Sequence, residues 1–309
     1  MAVIEARGLS KTFGDKPAVQ DVSFRVEPGR VTGFLGPNGA GKSTTMRLML
    51  ALDEGRGTTT FDGSRYRDLP DPIRRVGALL DTGAFHPRRS ARNHLRMIAA
   101  GSGVEAGRVD EVLELVGLGT VARARPGGYS LGMAQRLGLA SAMLGRPDTL
   151  ILDEPANGMD PQGMRWLRDF LKQYASEGNA VLVSSHLLSD LEAFAEHVIV
   201  IGQGRIIADA SLDEFVRSHG LETVQVRSDT PDRLTEALTG AGGSVTDRSD
   251  DLLLVTGLSR REVAEAAASH HCPVHELFTT TGTLEQAFLR VSADSVDFDA
   301  RDTEAGGTA

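Results

Sequence analysis

The chain has 309 residues, 40 % of them hydrophobic and 24 % charged, which is the make-up of a globular protein with room for two domains. A formal net charge of −9 and an isoelectric point near 5.4 argue against nonspecific nucleic-acid binding. No run approaches about eighteen consecutive apolar residues, the N-terminal Met1 to Arg7 lacks a secretory-signal layout, and the lone Cys272 excludes an internal disulfide and fits a reducing cytosol.

In chain order, Val3 to Ala6 and Val19 to Val26 read as strands, the second alternating Val22, Phe24 and Val26, and Glu27-Pro28-Gly29 turns the chain into a third. The first two are expected to form an antiparallel hairpin. Phe13 is either a core filler or an aromatic face for a stacked base. Val31 to Leu35 reads as a short buried strand, and directly after it Gly36-Pro37-Asn38-Gly39-Ala40-Gly41-Lys42-Ser43-Thr44 fits G-x-x-x-x-G-K-[ST]. Glycines in such a loop let successive N–H groups turn inward onto a triphosphate without Cβ clashes. Thr45 to Leu50 then reads as a helix whose N-terminus adds its positive dipole end to the same place. In this frame Lys42 reaches the outer phosphates and Ser43 offers its hydroxyl to Mg²⁺.

Thr58 to Gly63 gives a further strand and turn, and Val76 to Leu80 a buried strand ending at Asp81. From about Arg88 to Arg146 the periodicity is helical. Ala91 to Ala100 and Val109 to Val116 carry apolar residues at helical spacing, with Gly117 and Gly119 as a stop. Ser130 is placed to cap a helix running through Leu144, which makes either a simple cap or a second anion-ready helix N-terminus. Thr149 to Leu152 is an apolar strand that delivers Asp153 and Glu154 to the mouth of an α/β sheet, where ligands bind. Strand alternation is expected to send these two carboxylates to opposite faces and so to different jobs. Asp153 suits Mg²⁺ through water, and Glu154 suits polarising an attacking water. Val181 to Ser185 is another buried strand of the same sheet, ending at His186.

The phosphate loop, Tyr129-Ser130-Leu131-Gly132-Met133, Leu150 to Pro155, the loop Asn157-Gly158-Met159-Asp160 and His186 stand in the order and spacing of the ATP-binding subunit of ABC transporters, which the chain resembles over about residues 1–219. The resemblance implies an α/β fold: a RecA-like core bearing the P-loop, an antiparallel β subdomain and a helical subdomain over about 88–146. It also implies a head-to-tail homodimer closing on two ATPs with Mg²⁺, each held by the phosphate loop of one subunit and by Ser130 and Gly132 of the other. Glu154 would be the general base, His186 a γ-phosphate sensor, Asp160 a link across the dimer and Phe13 the adenine-stacking aromatic. Two positions depart from the usual pattern. Leu131 replaces a commoner glycine, and Asp81 stands where glutamine is usual, bringing a carboxylate toward Mg²⁺; both are similar to the exporter branch of bacitracin, lantibiotic and anthracycline self-resistance.

Beyond the capping box Ser211-Leu212-Asp213-Glu214, residues 220–291 read as strand, helix, strand, helix, strand, helix: Val224 to Val226, Pro231 at a helix start, Leu252 to Val255, a capping box at Ser259 to Glu262, Val274 to Phe278, and a capping box at Thr283 to Gln286. This is a small α+β domain. His270, His271, Cys272 and His275 are better explained as a helix-to-strand turn than as a metal site, having no matching second pair. Residues 292–309 carry five acids against one arginine and are expected to be disordered. The expectation is the ATPase subunit of an exporter at the cytoplasmic face of the membrane, working with a separately encoded transmembrane permease and no nucleic acid. The alternative is an ABC-type ATPase acting on ribosomes or nucleic acid, disfavoured by the single cassette and the lack of a basic arm.

Overall fold

The computed structural model describes residues 3–80, 85–86, 88–185, 188–220, 223–280 and 282–292. The chain divides into two compact units, Met1–Leu212 and Asp213–Ala309. The division falls at the start of the helix Leu212–His219, seven residues before the boundary at 219.

The first unit opens with strands β1 (Ile4–Phe13) and β2 (Lys16–Val26), paired antiparallel from Ile4↔Val26 to Phe13↔Lys16. The hairpin is longer than hydrophobic alternation alone indicates, because polar residues near its tip join the ladder, as Lys11↔Val19 and Thr12↔Pro17 do. Its buried face carries Ile4, Ala6, Leu9, Val22, Phe24 and Val26, each worth about 1–3 kcal/mol of burial free energy according to size. After β3 (Val31–Leu35) and α1 (Lys42–Met49), strands β4 (Arg56–Phe61) and β5 (Ser64–Arg65) complete this sheet in the order β2-β1-β4-β5.

The second sheet holds β6 (Val76–Leu79), and the helices that follow it are α2 (Ala91–Gly101), α3 (Gly107–Leu115) and α4 (Leu131–Ala142). Next come β7 (Thr149–Leu152), α5 (Pro161–Ser176), β8 (Ala180–Ser185), α6 (Leu188–Glu192), β9 (His197–Gly202) and β10 (Arg205–Ser211). The strand order is β10-β9-β3-β8-β7-β6; β9 to β6 run parallel and β10 is antiparallel to β9. Every residue of β3, β7 and β8 is buried, as expected of parallel strands covered on both faces. β3 lies between β8 and β9 while the chain resumes the sheet at its far edge with β6, which leaves a crevice at the carboxyl end of β3.

Between 88 and 146 the regular elements are helical, chiefly α2, α3 and α4. Ser90 caps α2 by accepting from the Asn93 N–H, and Leu95, Val112, Leu113, Leu137 and Leu139 are buried. α4 stops at Ala142, two residues short of the expected Leu144, where the Leu144 N–H turns to the Ser141 carbonyl at 3.3 Å and the helical pattern ends; Gly145 beyond it lies backbone-to-backbone on Ile73, where a Cβ would sit 2.0 Å from the Ile73 carbonyl. Within α4, Gly138 lets the helix settle on Leu79 of β6.

The second unit begins with α7 (Leu212–His219) and continues as β11 (Thr223–Arg227), α8 (Pro231–Gly240), β12 (Ser244–Ser249), β13 (Leu252–Thr256), α9 (Arg260–Ser269), β14 (Glu276–Thr280) and α10 (Leu284–Ser292). Its antiparallel sheet runs β12-β13-β11-β14, the split βαβ arrangement of a ferredoxin-like fold. Val224, Val226, Leu253 and Val255 meet Leu234, Leu238, Val263 and Ala267 in its core. This corrects the strand-helix alternation read from sequence: β12 is an additional edge strand. Its residues are mostly exposed, so no alternating apolar pattern marks it. The last strand lies two residues beyond the expected Val274–Phe278. Ser259 and Glu262 form the expected capping box, and Thr283 with Gln286 exchanges the same pair of bonds.

Candidate functional site

The loop from Gly36 to Gly41 is held by close backbone approaches that exclude larger residues. A Cβ on Gly36 would lie 2.4 Å from the Ile201 carbonyl at the end of β9, and one on Gly41 would lie 2.5 Å from the Ala18 carbonyl of β2. Gly41 also holds φ at +107°, open only to glycine, and from there α1 starts at Lys42. The Thr45 N–H and Oγ1 both donate to the Gly41 carbonyl at 2.8 Å, fixing the first turn. No acidic residue stands in that turn, so the helix N-terminus and its free N–H groups are left electropositive.

Lys42 is 6 % exposed and folds back over the loop, donating to the Gly36 carbonyl at 2.7 Å and the Pro37 carbonyl at 3.4 Å. Its Nζ lies 3.8 Å from Glu154 Oε1. Burial pushes the Lys42 pKa below the ordinary lysine value, opposed by Glu154 and then Asp153. The cleft above has a volume of about 410 Å³ and is walled by Ala18, Asn38, Lys42, Thr44, Glu154 and Asn157, with Ser43 on its exposed side.

Asp153 and Glu154 leave the sheet differently from the expected alternation. β7 ends at Leu152, and the Asp153 N–H still bonds across to the Leu79 carbonyl of β6 at 2.7 Å. At Glu154 the backbone turns to φ +52°, a conformation rare outside glycine, so strand alternation no longer decides where its side chain goes. Both carboxylates act on Lys42; burial distinguishes them instead, with Asp153 8 % exposed and the Glu154 side chain 21 % exposed.

Two residues that sequence reasoning passed over support this turn. Ser184 of β8 accepts from the Glu154 N–H at 2.9 Å and donates to Asp153 Oδ1. Gln135 of α4, 3 % exposed, donates from Nε2 to the Glu154 carbonyl at 3.2 Å, and the Asn157 N–H meets the same carbonyl at 3.2 Å. The signal for Ser184 lay in the sequence as a hydroxyl interrupting the apolar run Val181-Leu182-Val183. For Gln135 no local signal exists.

Ser130 Oγ accepts from the Met133 N–H at 3.2 Å and is exposed at the head of α4. Neither Ser130 nor Gly132 lines the cleft above Lys42. Gly132 packs on the loop after β7, where a Cβ would come within 2.9 Å of the Gly158 carbonyl. Asp160 caps α5, its Oδ1 accepting from the Gly163 N–H at 2.7 Å. Arg136 lies 5.5 Å from the Trp166 ring centroid, joining α4 to α5. Phe13 is 54 % exposed under Lys11, whose Nζ is 5.1 Å from the ring centroid, so it is no core filler. Asp81 and His186 lie outside the described residues.

A family model described as ABC transporter matches residues 19–157, and a domain of unknown function (DUF8746) matches residues 222–285. The chain is 35 % identical over 305 residues to the ABC transporter ATP-binding protein YhcH of Bacillus subtilis, covering 95 % of this chain and 97 % of that one. It is 36 % identical over 217 residues to the bacitracin transport ATP-binding protein BcrA of Bacillus licheniformis, covering 69 % of this chain and 71 % of the relative. A solved structure of an ATP binding subunit of an ABC transporter superposes with a TM-score of 0.63 at 28 % identity, over 70 % of this chain and 92 % of that one.

Proposed function

This chain is an ATPase belonging to the family of ATP-binding subunits of ABC transporters, and from that premise we propose that it closes as a homodimer on two ATPs and drives export through a separate membrane subunit. The observation that carries the catalytic reading is the meeting of Lys42 and Glu154 at 3.8 Å across the phosphate cleft. Phosphoryl transfer needs positioning and charge stabilisation more than covalent chemistry. Lys42 and the α1 N-terminus supply the positive field, and Glu154 is the general base that takes the proton of the attacking water. Ser43 and Asp153 present the hard oxygen donors that suit Mg²⁺, which when bound would neutralise phosphate charge; Asp81 is proposed as a further ligand. His186 is proposed as the γ-phosphate sensor, Phe13 as the adenine-stacking face and Asp160 as a link across the dimer.

The trans role of Ser130 and Gly132 is supported by their standing outside the cleft of their own chain. A separate permease is supported by the lack, among the described residues, of any helix long and apolar enough to cross a membrane. The likeness to the bacitracin transport protein supports an antibiotic-like, lipophilic or peptide cargo and a place at the cytoplasmic face of the membrane. Residues 1–219 are the proposed ATPase domain, 220–291 the accessory domain and 292–309 an acidic tail. Two measurements test this reading. Glu154→Gln should bind ATP but hydrolyse it about 10²- to 10⁴-fold more slowly, since the amide keeps the shape but accepts no proton. The full chain should co-purify with a polytopic membrane protein; recovery with ribosomes would overturn the transport reading.

A further inference from the structure

The turn that presents Glu154 has an unusual support. Past the end of β7 the Glu154 N–H donates to a side chain, and a backbone N–H drawn out of water needs such an acceptor. It is satisfied by the Ser184 hydroxyl at 2.9 Å, whose single proton goes to Asp153 Oδ1. β7 and β8 pair in parallel up to Leu152↔Val183, so Ser184 is the residue that follows the last pair, directly beside the two carboxylates. It is 0 % exposed, and every residue of β8 is buried. An apolar residue would be the ordinary occupant of such a position, since a buried hydroxyl has a cost unless both its donor and its acceptor are used. Both are used here, on adjacent residues of the site.

We propose that Ser184 is a positioning residue for ATP hydrolysis, registering the general base and the metal-binding carboxylate to each other through one hydroxyl. The proposal rests on the reading of Glu154 as general base. One bond holds the Glu154 peptide in its left-handed turn, and hence the start of the side chain that faces Lys42. The other fixes the plane of the Asp153 carboxylate. Chemically the hydroxyl remains a spectator: no proton is transferred to or from it. Removing it lets both groups relax, and displacement of a reacting group by about 1 Å costs on the order of a hundredfold in rate.

The test is a double-mutant cycle on the full chain. Ser184→Ala should bind a fluorescent ATP analogue in Mg²⁺ within about twofold of wild type while kcat falls about ten- to a hundredfold. Ser184→Thr, which keeps the hydroxyl, should recover most of the rate. In a Glu154→Gln background Ser184→Ala should cost clearly less than in the wild type, because one of the two groups it positions, the Glu154 carboxylate, is already gone. If thermal melts show that the alanine variant does not fold, Ser184→Cys takes its place, a weak donor of similar shape. A wild-type rate in the substituted protein, or an equal loss in both backgrounds, overturns the proposal. A wild-type rate in Glu154→Gln alone overturns the reading of Glu154, and the proposal with it.

Discussion

The side-chain amide of Gln135 donates to the Glu154 carbonyl at 3.2 Å, tying the helix headed by the exposed Ser130 to the peptide that carries the proposed general base of the same subunit. Gln135→Leu keeps the bulk and removes the bond. A hydrogen bond contributes about 0.5–1.5 kcal/mol, so kcat is expected to fall about two- to tenfold with ATP affinity unchanged. Steady-state hydrolysis beside equilibrium nucleotide binding checks this. An unaltered kcat would mean that the contact is passive.

Lys42 should take up protons when ATP binds at alkaline pH. Burial lowers its pKa in the free protein, and a triphosphate beside it must raise it again. Calorimetry in buffers of different ionisation enthalpy should show an uptake of less than about one proton per ATP, growing as pH rises through the lowered value. Lys42→Arg, whose guanidinium stays charged throughout, should lose that component.

If Ser130 acts across a dimer interface, Lys42→Ala and Ser130→Arg should complement. Equal mixing makes half of the dimers mixed, each with one intact site of two, so activity should return to about a quarter of wild type. No recovery under conditions where mixed dimers form would count against the sandwich.

His94 in α2 is 8 % exposed, its Nδ1 has no hydrogen-bond partner among the described residues, and its ring meets Phe85 edge-on with centroids 5.1 Å apart. Burial, and then Arg89, holds its pKa below the ordinary histidine value. The unfolded chain, with a histidine pKa near about 6.5, binds that proton first as pH falls. The contribution to stability is therefore present in full above that value and lost as pH drops toward the folded one. Thermal melts from neutral to mildly acidic pH should show a decline that His94→Leu flattens.

What the sequence determined by itself are the features whose cause is local. The glycines and lysine of residues 36–44 announce their turn, the apolar runs of β3, β7 and β8 announce buried parallel strands, and the serine and threonine caps at Ser130, Ser259 and Thr283 announce helix starts, because each signal lies within a few residues of the structure it specifies. The tertiary structure decided what depends on partners far along the chain. The Cβ-excluding approach of Ile201 to Gly36 spans 165 positions, the Ser184 hydroxyl reaches back to Asp153 across 31, and β12 is a strand only because β13 offers it a ladder. Glu154 shows the limit most plainly: strand alternation would aim it away from Asp153, but its peptide is taken over by Ser184 and Gln135 once the sheet ends. Periodicity governs a side chain only while the backbone keeps its period, and hydrogen bonds from distant strands and helices end it.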